Sequence, residues 1–354
     1  MRRLSKSFSL VALVVIGTIF ARPAAAQTAE PAPAQRPGFI SLADRFKPQT
    51  LVRLPDGRNL HFFCQGEGSP VAIMDASLSF WSFEFIRLQP ELAKVTKVCA
   101  VDRAGFGFSD PGPLPRDVVS DTADLYAGLK ASGLPGPYVL VGHSYGGQTA
   151  RYFAYTHPED VAGLLLIDPG IEHPGQRLPY PPSYIIDAQK YYDACRDLAK
   201  AGKLAPGFSP SPDEGPCIPE ILPKWTPARQ AYTAEIFARP SRFEAMASEF
   251  ATTDTTTSSA LDRARRKLGD LPLIVLSSDK AHFTEDRPPG VDADALHAAW
   301  VKAHKEQAAD STIGEERTID GASHFVFAER PDAVIGAFGE VMAKARARLA
   351  SQGR

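Results

Sequence analysis

One serine lies in a glycine-rich stretch whose residue types and spacing suit acyl-transfer chemistry. The stretch is Gly142-His143-Ser144-Tyr145-Gly146-Gly147, which contains the spacing G-x-S-x-G. A serine hydroxyl is a weak nucleophile at neutral pH and needs a neighbouring base. Glycines on both sides allow a turn tight enough to hold the hydroxyl outward, because no Cβ collides there. We therefore take Ser144 as the candidate nucleophile, although this spacing alone also fits a glycine-rich turn with an ordinary serine.

The flanking residues place this serine between a strand and a helix. The apolar run Tyr138 to Val141 is typical of a buried strand, and Gln148 to Tyr155 has the pattern of a helix. A strand-to-helix turn is the context in which G-x-S-x-G presents a nucleophile. The N-terminus of that helix and the backbone N–H of Tyr145 would then point at a developing oxyanion.

The composition is that of a soluble globular protein, with 44% hydrophobic and 23% charged residues. A formal net charge of -2 gives no indication of a nucleic-acid partner. No group of histidines, cysteines and aspartates has the spacing of a metal site. The run Gly105-Phe106-Gly107 lacks the strand-to-helix context of a phosphate-binding loop. We expect neither a metal nor an organic cofactor.

Residues 1–26 predict a signal peptide. Three basic residues precede an apolar segment, Phe8 to Phe20, and Ala24-Ala25-Ala26 offers a cleavage site. The apolar segment is shorter than the roughly 20 residues needed to span a bilayer. An uncleaved anchor is the alternative. Cleavage after Ala26 would make the protein periplasmic or extracellular, with no stable insertion in a membrane. The three basic residues that precede the apolar segment are Arg2, Arg3 and Lys6.

The rest of the chain divides into a linker, a core in two parts, and an insertion. Residues 27–48 are rich in Pro and Ala and predict a flexible linker. Strand and helix patterns alternate over 49–170 and 269–350, which predicts a mostly parallel sheet with helices on both faces. Residues 171–268 have helical patterns and no clear strand, and predict a helical cap. Predicted strands cover Leu51–Leu54, Leu60–Cys64, Val71–Met74, Lys97–Val101, Tyr138–Val141, Ala162–Ile167, Leu273–Leu276 and Glu315–Ile319; predicted helices include Trp81–Lys94, Ser183–Lys200 and Pro227–Phe250.

Three motifs resemble those of the α/β-hydrolase fold superfamily, over nearly all of Leu51 to Leu349. Gly142 to Gly147 resembles its nucleophile elbow. Asp102 to Ser109 is similar to the D-x-x-G-x-G-x-S segment after the fourth strand, and Gly321-Ala322-Ser323-His324 is similar to the G-x-x-H that presents the catalytic histidine. The resemblance implies an eight-stranded sheet, a cap inserted after strand six, and the chain order serine, acid, histidine.

The resemblance implies that His324 is the general base. Two aspartates compete to orient it, Asp168 after strand six and Asp279 after strand seven. Strand seven is the commoner location in the superfamily. However, Ser278 stands where glycine is expected, and Asp279 comes early and far from His324 in the chain. We favour Asp168 as the acid and keep Asp279 as the alternative.

An oxyanion hole requires two backbone N–H donors. Tyr145 would supply one of them, and Leu78, in the loop after strand three, would supply the other. This loop often contains glycine in the superfamily, whereas Ser77 and Ser79 occupy it here.

The same resemblance implies the disulfide pairing. The strand order of the fold puts strand two beside strand four, which implies a Cys64–Cys99 bridge in the core and a Cys195–Cys217 bridge in the cap, as export would permit.

Together these residues predict an exported serine hydrolase that cleaves a carboxylic ester, or a similar acyl bond of a small molecule, through an acyl-enzyme. An aminopeptidase or amidase of the same fold is the alternative, with Glu84, Glu172 or Asp187 as an acidic subsite for a substrate amine. A non-catalytic ligand-binding homologue is another, which the Ser77 loop favours. Epoxide hydrolases and haloalkane dehalogenases of the superfamily have a carboxylate where Ser144 stands, and are disfavoured.

The leader predicts that the mature protein begins at Gln27. N-terminal sequencing of protein recovered from the periplasm or the medium should return Gln27 first. Replacing Ala26 with Leu should block processing, because signal peptidase sites require small residues at this position. Mature protein that still begins at Met1 would contradict the prediction.

Overall fold

The computed structural model describes residues 44–210, 215–280, 287–288 and 290–353. The predicted signal peptide and most of the predicted linker lie outside the described residues. The described chain begins with a short 3₁₀ turn, Asp44–Phe46.

A single eight-stranded sheet forms the centre of the molecule, as the sequence predicts. Its strand order is β1-β2-β4-β3-β5-β6-β7-β8. The pairs β1/β2 and β2/β4 are antiparallel, and the other five pairs are parallel. The strands are β1 (Thr50–Arg53), β2 (Asn59–Gln65), β3 (Ala72–Asp75), β4 (Val98–Asp102), β5 (Tyr138–His143), β6 (Val161–Ile167), β7 (Leu273–Ser277) and β8 (Glu315–Thr318).

The central strands are buried along their whole length and are mostly apolar, because both faces of the sheet are covered. In β5, Val139 and Val141 pack into one core cluster, and Tyr138 and Leu140 pack into a second cluster. Alternate residues of a strand point to opposite faces, so the two clusters lie on opposite sides of the sheet. The carboxyl ends of these buried strands form the edge to which the candidate site residues are attached.

Helices cover both faces. The C-terminal helix contributes Val334 and Phe338 to the first cluster, and two helices from the first half contribute Leu129 and Phe153 to the second. The helices are α1 (Gln89–Leu92), α2 (Val118–Ser132), α3 (Tyr145–Thr156), α4 (Pro174–Arg177), α5 (Pro182–Lys200), α6 (Pro227–Ile236), α7 (Pro240–Thr252), α8 (Ser258–Ala264), α9 (Ala293–Ala308), α10 (Val326–Glu329) and α11 (Pro331–Ser351).

Proline divides two stretches that the sequence pattern presents as continuous. The predicted helix Trp81–Lys94 is wrong: the chain forms a 3₁₀ turn over Ser82–Phe85 and then the single turn α1, with Pro90 at its start. Between α6 and α7, Pro240 begins the second helix. A proline inside a helix removes a hydrogen bond and clashes with the preceding turn, so each helix restarts at its proline.

The described residues of 171–268 contain helices and no strand. Helices α5 and α7 pack on each other around an apolar cluster that includes Tyr192, Cys195 and Phe243. The two ends of the segment pack into other apolar clusters. Ile171 packs near the start of α9, and α8 contributes Leu261 to a cluster with the core helices. Helices α5 to α7 therefore share one apolar cluster, to which Trp81 and Phe106 from loops of the core also belong, and we refer to these helices as the cap.

The four cysteines form two disulfides, with Cys64 joined to Cys99 and Cys195 joined to Cys217. Cys64 and Cys99 face each other across the β2/β4 pair, with their Cα atoms 4.0 Å apart. The second bridge joins α5 to the segment that precedes α6.

In the described part of the chain, no helix has the length and apolar character needed to cross a membrane.

Candidate active site

Ser144 occupies a strained turn between β5 and α3. Its φ angle is 52° and its ψ angle is -116°, a region that residues with a side chain rarely adopt. The neighbouring end of β6 holds the turn on both sides. The Ser144 N–H donates to the Ile167 carbonyl at 3.1 Å, and the Gly170 N–H donates to the Ser144 carbonyl at 2.8 Å. Such strain persists only where surrounding contacts enforce it, and it is typical of functional sites.

The glycines around Ser144 are required by close backbone packing. A Cβ on Gly142 would collide with the carbonyl of Gly146, and a Cβ on Gly146 would collide with the carbonyl of Asp75 at the end of β3. The backbone of α3 therefore lies directly against the ends of β3 and β5. This contact places Ser144 beside the loop that follows β3.

His324 lies in the loop between β8 and α10, and its ring contacts Asp168. Its Nδ1 is 2.6 Å from Oδ2 of Asp168. The other carboxylate oxygen, Oδ1, accepts hydrogen bonds from the Ser278 N–H at 2.7 Å and from Nε1 of Trp300 at 2.8 Å. The Asp168 side chain is 1% exposed, whereas that of His324 is 20% exposed. Three donors thus hold Asp168 behind a histidine that remains accessible.

Asp168 is ionised in this setting. Burial alone would raise the pKa of the Asp168 carboxyl, but the hydrogen bond and charge of His324, with smaller contributions from His304 and Trp300, hold the pKa below its usual range. A buried carboxylate in contact with Nδ1 selects the tautomer in which Nε2 is free to accept a proton.

Asp279, the alternative acid, binds backbone N–H groups of the segment that follows β7 and of the loop that leads to His324. Its Oδ2 accepts the Gly321 N–H at 2.8 Å, and its Oδ1 accepts the Lys280 N–H at 2.5 Å. Its own N–H donates to the Ala322 carbonyl at 2.8 Å. Asp279 therefore fastens the loop that leads to His324.

The loop after β3 forms part of the wall of the cavity that Ser144 and His324 line. Ser79 has a φ angle of 74°, so a serine holds the left-handed conformation for which glycine is better suited. Ser77 is anchored by Glu84, which accepts its N–H at 2.9 Å and its hydroxyl at 2.5 Å. Leu78 lies between these two residues and lines the same cavity as Ser144.

A buried ion pair lies beneath His324 and was not anticipated from the sequence. His143 Nδ1 is 3.1 Å from Glu84, and His143 Nε2 is 2.8 Å from the carbonyl oxygen of His324. A carbonyl oxygen can only accept a hydrogen bond, and an ionised carboxylate can only accept one as well. Both ring nitrogens of His143 must therefore donate. His143 is then an imidazolium. It connects the loop of Ser77 to the backbone of His324 through Glu84.

The electrostatics of this pair agree with its geometry. Burial lowers the pKa of His143, but the charge and hydrogen bond of Glu84 outweigh burial and raise the pKa above its ordinary value of 6.5. Burial raises the pKa of Glu84, and the opposing effects of His143 and Ser77 bring that pKa below its ordinary value of 4.5. Both shifts favour the charged forms, in agreement with the hydrogen-bond pattern of His143.

A cavity of about 240 Å³ contains Ser144 and His324 and is covered by the cap. Its walls are mainly apolar, with one arginine from α7. The lining residues are Ser77, Leu78, Ser79, Phe80, Ser144, Tyr191, Tyr192, Cys217, Arg242, Met246, Phe250, Thr253, His324 and Phe325. A small apolar cavity with a few convergent polar groups suits a small organic ligand.

The structure brings together Ser144, His324 and Asp168, which are far apart in the chain, and sets Tyr145 and Leu78 beside them. Tyr145 is the first residue of α3, and an N–H at a helix start has no carbonyl a turn earlier to bind. Trp300 was missed because an indole on a helix gives no sequence signal of an interaction with Asp168. Glu84 was considered only as an amine-binding group.

The three carboxylates considered as an amine subsite have other partners. Glu84 binds His143 and Ser77. Glu172 is 2.5 Å from Arg151. Asp187 is 52% exposed and is 2.8 Å from Lys190. Among the described residues, no group of three or more histidines, cysteines, aspartates and glutamates could hold a metal ion.

Replacing Asp168 with Asn should lower kcat by about 10³- to 10⁴-fold, because an amide can no longer stabilise the imidazolium of His324 or select its tautomer. Replacing Asp279 with Asn should lower kcat by less than about tenfold, because this residue acts only on the loop conformation. Steady-state kinetics on one ester substrate, with circular dichroism as a folding control, would compare the two variants. Loss of activity confined to Asp279→Asn would reverse the assignment.

Replacing Glu84 with Gln should lower the free energy of unfolding by about 3–5 kcal/mol near pH 6, because it leaves His143 buried without a counter-charge. The raised pKa of His143 contributes stability below pH 6.5 that is lost as the pH rises through its folded value. The lowered pKa of Glu84 contributes stability above pH 4.5 that is lost as the pH falls through its folded value. The difference between wild type and variant should therefore be largest between these two pH values.

Urea unfolding at pH 6 and at pH 9 would measure this difference. Glu91→Gln serves as the matched control, because Glu91 is 44% exposed and pairs only with Lys94 on the surface. A Glu84→Gln effect that is equal at both pH values would argue against a charged pair. We also expect kcat of Glu84→Gln to fall by about 10- to 100-fold, because the loop that carries the Leu78 N–H loses its anchor.

Comparison with known proteins agrees with this architecture. A profile of the alpha/beta hydrolase family matches residues 68–337. The chain is 28% identical over 151 residues to the soluble epoxide hydrolase of Corynebacterium sp. (strain C12), covering 41% of this chain and 51% of that protein. It is 33% identical over 103 residues to lipase LipV of Mycobacterium tuberculosis, covering 29% of this chain and 39% of that protein. The matches therefore span about half, or less, of these relatives.

Among solved structures, epoxide hydrolase CorEH superimposes with a TM-score of 0.60 at 20% sequence identity, covering 83% of this chain and 98% of that chain. Identity at this level supports the fold and nothing about the substrate. The family profile spans most of the chain, including the Ser144 turn, Asp168 and His324. This chain belongs to the alpha/beta hydrolase family.

Proposed function

We propose that this hydrolase is an exported serine esterase that cleaves small carboxylic esters through an acyl-enzyme. One observation carries the proposal: Ser144 and His324 line one cavity, and the buried Asp168 carboxylate lies 2.6 Å behind the histidine ring. A nucleophile, a base and an orienting acid in this arrangement are what activation of a serine hydroxyl requires.

In the proposed reaction, the Ser144 hydroxyl attacks the ester carbonyl while Nε2 of His324 takes its proton. The oxyanion would accept hydrogen bonds from the N–H groups of Tyr145 and Leu78. The imidazolium, stabilised by Asp168, would give its proton to the departing alcohol. Water, deprotonated by His324, would then attack the acyl-enzyme and release the acid and free Ser144.

The nucleophile itself argues for acyl transfer over epoxide opening or halide displacement. Attack of a serine oxygen on an alkyl carbon would form an ether, which water cannot cleave by attack at a carbonyl. Attack on an acyl carbon forms an ester, which the same His324 can help water to hydrolyse. The epoxide hydrolases among the relatives therefore do not suggest the substrate of this chain.

Amide and aminopeptidase activity remains the second candidate, and the cavity gives it less support. A substrate amine would need an ionised carboxylate in reach, and Glu84, Glu172 and Asp187 already have partners.

Export is supported by the leader pattern of residues 1–26 and by the two disulfides, because disulfides persist in oxidising compartments.

A fluorophosphonate probe should add once to the protein, at Ser144, because the probe reacts with activated serines and mimics the acyl-enzyme. Intact mass spectrometry of wild type and of Ser144→Ala would measure the adduct. The Ser144→Ala variant should carry none and should lose hydrolysis of short nitrophenyl esters by about 10⁴-fold or more. Ser248→Ala is a suitable control, because its hydroxyl serves the Arg116 backbone outside the cavity.

Absence of any adduct on folded, disulfide-bonded wild-type protein would remove the proposal. It would favour the non-catalytic ligand-binding alternative. Labelling of Ser144 with cleavage of amides but not of esters would favour the amidase.

A further inference from the structure

An arginine from the cap projects into the cavity that contains Ser144. Arg242 belongs to the first turn of α7 and lines the cavity together with Ser144 and His324. It is 4% exposed in the whole molecule. A long charged side chain is almost never this buried unless an opposite charge accompanies it.

The contacts of Arg242 leave its charge without a counter-ion among the described residues. Its Nη1 donates to the carbonyl oxygens of Cys217 at 3.2 Å and of Phe237 at 3.1 Å. Its Nε is buried and has no hydrogen-bond partner. The guanidinium carbon lies 4.6 Å from the ring centroid of Phe243 and 5.6 Å from that of Trp81. These rings and carbonyls fix the position of the group without neutralising it.

Three other buried arginines of this protein are neutralised. Arg103 binds Glu249 at 2.8 Å and Asp75 at 2.7 Å. Arg116 binds Asp121 at 2.5 Å. Arg151 likewise pairs with Glu172. None of these three lines the cavity, and neither does Arg45, which is also buried and has no ion pair among the described residues. Arg242 is therefore the arginine without a carboxylate that lies in the cavity wall.

The unpaired charge is present at neutral pH. Burial lowers the pKa of Arg242 to about 10, with only small opposing effects from three tyrosines. The group therefore stays protonated, and its desolvation is not offset by a carboxylate of the protein. An anion that enters the cavity would remove this unfavourable state and gain charge-assisted hydrogen bonds.

We propose that the cavity selects esters that carry a carboxylate, and that Arg242 binds this carboxylate while Ser144 attacks the ester carbonyl. The claim about the ester rests on the proposed esterase function. Among the described residues that line the cavity, Arg242 and His324 are the basic ones, and His324 is assigned to proton transfer. One guanidinium matches a singly charged carboxylate, whereas a phosphate dianion would leave a charge unpaired.

Arg242 is thus a specificity-determining residue. A guanidinium is a planar fork that can donate two parallel hydrogen bonds to a carboxylate. The cavity of about 240 Å³ has room for a short chain between the ester and the carboxylate. Half-esters of short dicarboxylic acids and acyl esters of short hydroxy acids both fit this description.

Two matched pairs of esters would test the proposal by pH-stat kinetics. Monomethyl glutarate and methyl pentanoate compare a carboxylate with a methyl group on the acyl side, and 4-acetoxybutanoate and butyl acetate do so on the alcohol side. For at least one pair, Arg242→Gln should lower the ratio of kcat/KM for the anionic over the neutral ester by about 10- to 100-fold, as expected for loss of a charge-assisted pair. Arg242→Lys should lower the ratio less, because the charge remains but the fork is lost.

Arg239→Gln is the matched control. Arg239 lies just before α7, donates to the Gly107 carbonyl at 2.9 Å and lies 3.6 Å from Glu235, outside the cavity lining. Its ratio should stay within about threefold of wild type, as for surface substitutions generally. Thermal unfolding would show that each variant is folded. An unchanged ratio in folded Arg242→Gln, for both pairs, would overturn the proposal.

A binding experiment separates this inference from the esterase proposal. Ser144→Ala protein, which cannot turn the ester over, would be titrated calorimetrically with monomethyl glutarate and with methyl pentanoate. We expect binding of the anionic ester to weaken by about 10-fold or more when Arg242→Gln is added. Equal binding of the anionic ester with and without Arg242 would overturn the inference. Binding that depends on Arg242, in a protein that cleaves no ester, would refute the esterase and leave Arg242 as a carboxylate receptor.

Discussion

The close backbone packing around Ser144 is the constraint on which the candidate site depends. The helix that follows the serine begins so near the sheet that a Cβ at Gly146 would strike the end of β3. The same turn exchanges backbone hydrogen bonds with Ile167 and Gly170 on either side of Asp168. The strain at Ser144 therefore has a structural cause, because three strand ends and one helix meet at this point. It sets both the loop of Leu78 and Asp168 at fixed positions relative to the hydroxyl.

Buried charges complete this frame and attach the cap to it. Arg103, in the loop after β4, binds Asp75 at the end of β3 and Glu249 on α7. The ion pair of Glu84 and His143 performs a similar task on the other side, between the loop of Ser77 and the backbone of His324. Buried pairs of this kind add little net stability but specify one arrangement, since breaking them leaves an uncompensated charge. Arg242 is seven residues before Glu249 on the same helix, so the contact that anchors α7 also positions Arg242.

The limits of sequence interpretation are clearest at particular residues. The competition between Asp168 and Asp279 could not be decided from the sequence, because both follow strands and both lie near His324 in the fold. In the structure Asp279 binds the Gly321 and Lys280 N–H groups, whereas Asp168 contacts the histidine ring. The helix expected over Trp81–Lys94 failed at Pro90, which a periodicity of apolar residues does not take into account. In the loop after β3, serines stand where glycine is common in the superfamily, and the sequence does not show what holds this loop. In the structure Glu84 accepts a hydrogen bond from the Ser77 hydroxyl and anchors it.

Local patterns of apolar residues and short motifs were enough to predict the alternation of strands and helices, the two-sided sheet, the candidate nucleophile and the histidine. Three features appear only in the folded molecule: the aspartate behind His324, the two donating nitrogens of His143, and the entry of Arg242 into the cavity without a counter-ion among the described residues. Each of these depends on which side chains meet across elements far apart in the chain. Charge and protonation follow from such meetings, because burial and partners determine them more than residue type does.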